Sequence, residues 1–228
     1  MFYFDIYYLY FIVPALLFTI WAQVKLKSTY AKYGRILNRS GMTGADAARL
    51  ILDRNGLEHI RIEHVSGQLT DHYSPKENVI RLSDSTYQVA SIGAIGVAAH
   101  ECGHAIQYDV NYLPIKIRNA IIPVTQIGSQ LAWPLFALGL IFQFGVLLDI
   151  GIWLFAAVTI FQLITLPVEF NASRRAMATL ESDSMLQEDE LRGARKVLTA
   201  AAMTYVAALA TALANLLRMI ALRNRNRD

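Results

Sequence analysis

The stretch His100-Glu101-Cys102-Gly103-His104 carries two imidazoles four residues apart with a carboxylate between them. On a helix, positions i and i+4 lie one turn apart on the same face, so both rings reach a single ion. The intervening glutamate is near enough to act on a water held by that ion, and H-E-x-x-H is the pattern with which zinc proteases bind metal and activate water. The flanks suit a helix buried apart from its metal-facing edge. From Val97 to Ile106 the only charged residue is Glu101, and no proline interrupts the run. Cys102, the single cysteine, falls away from the histidine edge and is read as packing. Alone it forms no internal disulfide, and it is compatible with a reducing compartment.

The elements that must position this site belong to a membrane protein. Of the 228 residues 54% are hydrophobic and only 17% are charged, and the charges gather in 25–119 and 169–197 while long uncharged runs fill most of the rest. The expected fold class is an α-helical polytopic membrane protein with a small α+β zincin-like catalytic domain. The net charge of +3 comes from short basic clusters beside apolar runs, not from a basic face with interleaved aromatics, which gives nucleic-acid binding no support.

Residues 2–24, interrupted by Asp5 and Gln23, are long enough for a first span. A secretory signal peptide competes with that reading, but the basic n-region and the A-x-A site are missing and the apolar stretch is too long. Lys25, Lys27, Lys32 and Arg35 follow at once, which puts that end in the cytoplasm. Residues 25–119 then form a cytoplasmic catalytic domain. Thr43 and Asp46 make a capping box for a helix over 44–55 that Gly56 ends. Alternation at 59–63 and at 78–82 predicts two strands with a turn at Ser74-Pro75. The motif helix is expected to begin between Gln88 and Ser91. From Ala120 to Val168 the only charge is Asp149, which predicts a transmembrane hairpin turning near 145–151, with Asp149 at its tip. Residues 169–197 are polar and basic, again cytoplasmic. The last apolar segment, 198–222, either spans or is a buried or re-entrant helix, because a span would leave the basic tail outside.

A catalytic zinc takes three protein ligands and leaves a fourth position for water. His100 and His104 supply two, and the hairpin returns the chain to their side of the membrane at Glu169. On spacing alone Glu169 is either the third ligand or a solvated carboxylate at the membrane border. Asn171 and Ser173 stand near enough in sequence to orient a ligand.

Several stretches agree in order with one family. His100 to His104, Glu169-Phe170-Asn171-Ala172-Ser173-Arg174-Arg175-Ala176, Leu69-Thr70-Asp71-His72-Tyr73, Gly193-Ala194-Arg195-Lys196-Val197-Leu198 and Thr204-Tyr205-Val206-Ala207-Ala208 together resemble the YugP-type membrane neutral zinc metallopeptidases of bacteria. That family is more broadly similar to the membrane-embedded gluzincins, in which a glutamate after the histidine pair completes the zinc site. The resemblance therefore implies Glu169 as third ligand. One departure is Ser74, where the family pattern implies an acidic residue.

The expected chemistry is hydrolysis of peptide bonds in unfolded or membrane-associated proteins, with Zn2+ as cofactor and Glu101 as general base for a zinc-activated water. His72 or Tyr73 is the candidate donor to the developing oxyanion, and extended substrate is expected to pair with the strand at 78–82. The expected partners are protein or peptide substrates and the lipid bilayer, and the location is a bacterial cell membrane with the site on the cytoplasmic side. His59 and His64 are read as ordinary surface or core residues. A binding-class alternative keeps the metal site but makes the protein a scaffold or holdase for membrane proteins. A metal transporter would need more charge within its spans.

Overall fold

The computed structural model describes residues 5–225. Residues 2–4 of the expected first span and Arg227 of the basic tail lie outside the described residues. The chain divides into two compact units, and several helices run from one into the other.

The first unit comprises, among the described residues, 5–23, 116–167 and 203–225. A π-helical turn at Tyr8–Ile12 passes into α1 (Val13–Tyr33). The other long helices are α4 (Leu113–Ile141), α5 (Gly145–Ser182) and α6 (Glu188–Arg225). All four are long and apolar enough to cross a membrane. The α4–α5 hairpin breaks at 142–144, just before the expected turn. Gly151 is not a turn residue: a Cβ there would stand 2.9 Å from the Ala132 carbonyl oxygen, so it lets two helices approach closely, as small residues do in membranes. Phe136, Leu148, Phe155 and Met219 form the buried centre of this unit.

Two ion pairs join charged residues of this unit. Asp149 holds Arg223 through two hydrogen bonds of 2.5 and 2.7 Å. Asp5 accepts from Arg218 at 2.7 Å, and the Arg218 guanidinium also lies over the rings of Tyr8 and Trp133, 5.3 Å from each centroid. The last apolar segment thus forms one long helix that begins ten residues before the expected 198, at Glu188, with Arg218 and Arg223 paired to carboxylates of this unit.

The second unit comprises Val24–Ile115 and Val168–Ala202. Helix α2 (Gly44–Arg54) opens on a complete capping box: Thr43 Oγ1 accepts from the Asp46 amide, and the Asp46 carboxylate accepts from the Thr43 amide and hydroxyl. These bonds hold the Asp46 carboxyl below the usual carboxylate range. Gly56, at φ +71°, ends the helix in the left-handed region open to glycine. The sheet contains β1 (Arg61–Val65), β2 (His72–Ser74) and β3 (Val79–Ser83) in the order β1-β3-β2, with β1 parallel and β2 antiparallel to β3. The three-residue β2 lies where the sequence predicted only a turn. It makes β3 the central strand, flanked along its length by β1 and at Val79–Arg81 by β2, so an extended substrate has no open edge there and that expectation is corrected.

Helix α3 (Ile92–Asp109) starts at Ser91, whose hydroxyl accepts from the Ala94 amide. Ala47, Ala48, Ile51 and Leu52 of α2, Ile80 and Leu82 of β3, and Ile95, Ala98, Cys102 and Ala105 of α3 form one core, which Ala176 and Leu180 of α5 complete. A small residue on α3 lets it approach α5 closely: a Cβ on Gly103 would stand 2.5 Å from the Ala172 carbonyl oxygen of α5.

Candidate metal centre

The site joins one face of α3 to one face of α5. His100 and His104 are one turn apart on α3, their rings edge to face with centroids 4.8 Å apart. Glu169 sits within the unbroken α5, two residues after Pro167, which that helix accommodates without a break. It is 3% exposed, so a merely solvated border carboxylate is excluded. Its Oε2 lies 3.3 Å from His100 Nε2 and 3.4 Å from His104 Nε2.

Those distances test whether the residues suit a metal. Nitrogen and oxygen donors bound at about 2.0–2.1 Å to a tetrahedral zinc stand about 3.3 Å from one another. The two carboxylate–imidazole separations agree with that value, and all three donor atoms lie within 4.8 Å of one another. Two imidazoles and a carboxylate, left with an open fourth position, are the donor set of catalytic zinc sites.

The hydrogen bonds behind the rings present the correct nitrogens. Gln107 Nε2 donates to the Val168 carbonyl at 2.8 Å and to Asn171 Oδ1 at 3.0 Å. A carbonyl only accepts, so this bond fixes the amide orientation and turns Gln107 Oε1 toward His104 Nδ1, 3.0 Å away. His104 then carries its proton on Nδ1 and keeps the Nε2 lone pair for a metal. Ser173 Oγ is 3.1 Å from His100 Nδ1 and supports the second ring. Arg175 Nε donates to Asn171 Oδ1 at 2.9 Å and braces the same network. Burial pushes His104 toward neutrality, but the hydrogen bond and charge of Glu169, with the charge of Glu101, outweigh it and raise its pKa in the metal-free protein.

Glu101 is 8% exposed on α3, between the two histidines. Cys102 faces the opposite way, with its thiol against the Ala48 carbonyl at 3.6 Å, and burial pushes that thiol's pKa up. Tyr73 packs on the ring of Tyr108, one turn beyond His104, at 5.6 Å between centroids, and burial raises its phenol's pKa. His72 projects from the other face of β2; it is exposed, with Nδ1 2.9 Å from the Thr70 carbonyl. His59 is exposed, and His64 Nε2 lies 2.5 Å from Asp84 Oδ1. Gln107 was missed by sequence reasoning. Its one signal is a polar residue three positions after His104 in an otherwise apolar helix.

Residues 8–224 match the profile of the family described as "Putative neutral zinc metallopeptidase". The chain belongs to this family. Among curated proteins the chain is 45% identical to the "Putative membrane protease YugP" of Bacillus subtilis (strain 168), over 95% of the chain and 96% of that protein. No solved structure matches it. Zinc is the metal the family name implies, and the donor set fits it.

Proposed function

We propose that the protein is a membrane-embedded, zinc-dependent endopeptidase that hydrolyses peptide bonds of unfolded or membrane-associated proteins. The observation that carries this reading is the convergence of His100, His104 and Glu169 beside a buried Glu101. Zinc held by these three side chains would polarise the scissile carbonyl and acidify the attacking water. Glu101 takes the proton of that water as general base and delivers it to the leaving amine. Gln107 and Ser173 keep both imidazoles in the ligating orientation.

For the oxyanion, Tyr73 is favoured over His72, because it lies on the α3 side of β2 and its raised pKa keeps it a donor at neutral pH. An extended substrate is best received at the edge strand β2, next to α3, where main-chain pairing binds without reading sequence. The Lys25, Lys27, Lys32 and Arg35 cluster after the first apolar run supports a site on the cytoplasmic side of a bacterial plasma membrane.

The test is cleavage of an unstructured reporter protein by purified, zinc-loaded wild type beside Glu101→Gln. Cleavage by wild type alone is expected. If neither form cuts while both hold zinc, the endopeptidase reading fails and the scaffold reading replaces it.

A further inference from the structure

A second built feature lies in the same unit, where α1 ends. Lys27 and Tyr30 of α1, Arg35 just beyond it, Gln68 and Leu69 of the β1–β2 loop and Ser85 of the β3–α3 loop line a cavity of about 680 Å³, within the size range of small-molecule sites. The proposed hydrolysis uses none of these residues.

Its floor is rigid. Tyr30 Oη donates to the Ser85 carbonyl at 3.0 Å and lies 3.3 Å from Thr86 Oγ1. Ser83, 3.3 Å from the same Thr86 hydroxyl, is held through its amide and its hydroxyl by Asp71. Nearby carboxylates are thereby committed, Asp71 to Ser83 and Asp84 to the Gly67 amide and His64. Among the described residues no carboxylate lines the cavity and none pairs with Lys27 or Arg35. Two cations therefore face one concave space unopposed.

Apolar groups stand beside them. Along α1, Val24, Lys27 and Ala31 follow at spacings of three and four, so they share a stripe that changes from apolar to cationic where the apolar run ends, and Arg35 follows just past the helix end. Val24 is 61% exposed. Leu69 keeps an exposed apolar side chain on a left-handed backbone, φ +56°, a conformation that costs free energy in a non-glycine residue. Cations that suit phosphate oxygens, next to exposed apolar side chains at the end of a membrane-spanning helix, match an amphiphile rather than a soluble anion.

We propose that this cavity is a binding site for an anionic phospholipid, with Lys27 and Arg35 on the oxygens of the headgroup phosphate and Val24 and Leu69 against the start of the acyl chains. A phosphate group alone would meet the same two cations, so the test separates the lipid from free phosphate.

The purified full chain in detergent is titrated with short-chain phosphatidylglycerol, followed by native mass spectrometry, with inorganic phosphate as competitor. One lipid is expected to bind specifically. Replacing both Lys27→Gln and Arg35→Gln should weaken it about thirtyfold, the loss expected for two basic side chains at an anionic lipid surface. The charge-conserving pair Lys27→Arg and Arg35→Lys should keep most of the binding, and Lys76→Gln, away from the cavity, should leave it unchanged. Millimolar inorganic phosphate should not displace the lipid. Unaltered binding in the double glutamine variant, equal loss in the charge-conserving pair, or displacement by inorganic phosphate at the lipid's own concentration would each overturn the proposal.

Discussion

Replacing Gly103 by alanine should separate the contribution of helix α3 from that of the site it carries. An added Cβ would meet the Ala172 oxygen at 2.5 Å, its carbonyl carbon at 3.1 Å and its Cα at 3.2 Å. All three are backbone atoms of the buried Ala172, so no side chain can swing aside. Moving the oxygen from 2.5 Å to the 3.4 Å of ordinary contact requires α3 and α5 to part by about 0.9 Å. That displacement falls between His104 and Glu169, which supply the ligands from opposite sides. Helix propensity would favour alanine by about 1 kcal/mol, against an overpacking cost of about 1–3 kcal/mol, so the metal-free fold should be little changed or modestly weakened. Zinc affinity should fall by about tenfold to a hundredfold, as for other disturbances just behind a ligand. Gly96→Ala, on the same helix, is the control: its Cβ would meet Ala194 at 3.5 Å, ordinary contact, so it should gain about 1 kcal/mol of stability from helix propensity and keep its zinc. The assay is zinc competition against a fluorescent chelator, with thermal unfolding of the metal-free and loaded forms. If Gly103→Ala bound zinc as tightly as wild type, the close helix contact would not set the ligand geometry.

Other consequences are equally specific. Gln107→Leu leaves His104 Nδ1 without its acceptor and should weaken zinc by about tenfold to a hundredfold in the same competition assay, while Gln107→Glu, which still accepts, should retain more affinity. Asp149→Arg and Arg223→Asp should each lower the melting temperature of the detergent-solubilised protein, because each sets two like charges against one another, and the double exchange should recover most of it. Thr43→Ala should cost about 1 kcal/mol at neutral pH. The Asp46 carboxyl is lowered from 3.8 by Thr43, so its contribution is complete above that pH and is lost as pH falls through the lowered value; unfolding curves of wild type and variant should converge in acid.

What could be read from the sequence was what depends on local spacing. The i, i+4 histidines, the Thr43/Asp46 capping box, the glycine stop at Gly56 and the unbroken apolar runs all express physics within a few residues, and the structure shows the corresponding helices. Glu169 stands 65 positions after His104, and spacing could not choose between a ligand and a solvated carboxylate; the family resemblance singled it out and its burial removed the second option. The short strand β2 was invisible because three residues carry no periodicity, and with it went the insight that β3 is central. Gly151 falls inside the turn expected near 145–151 although it lies within α5, because a glycine for helix contact and a glycine for chain reversal look alike in one dimension. The long-range partners of Asp149 and Arg218 lie on other helices, 74 and 213 residues away, and no local pattern announces them.

The most direct measurement is X-ray absorption at the zinc edge of the loaded, purified protein, with Glu169→Ala beside it. Only nitrogen and oxygen neighbours at about 2.0–2.2 Å are predicted, with outer-shell scattering from two imidazoles and the loss of one oxygen neighbour or of the metal itself in the variant. A sulfur neighbour at about 2.3 Å, which only Cys102 or a methionine could supply, or an unchanged spectrum with full zinc content in Glu169→Ala, would contradict a centre built from His100, His104 and Glu169.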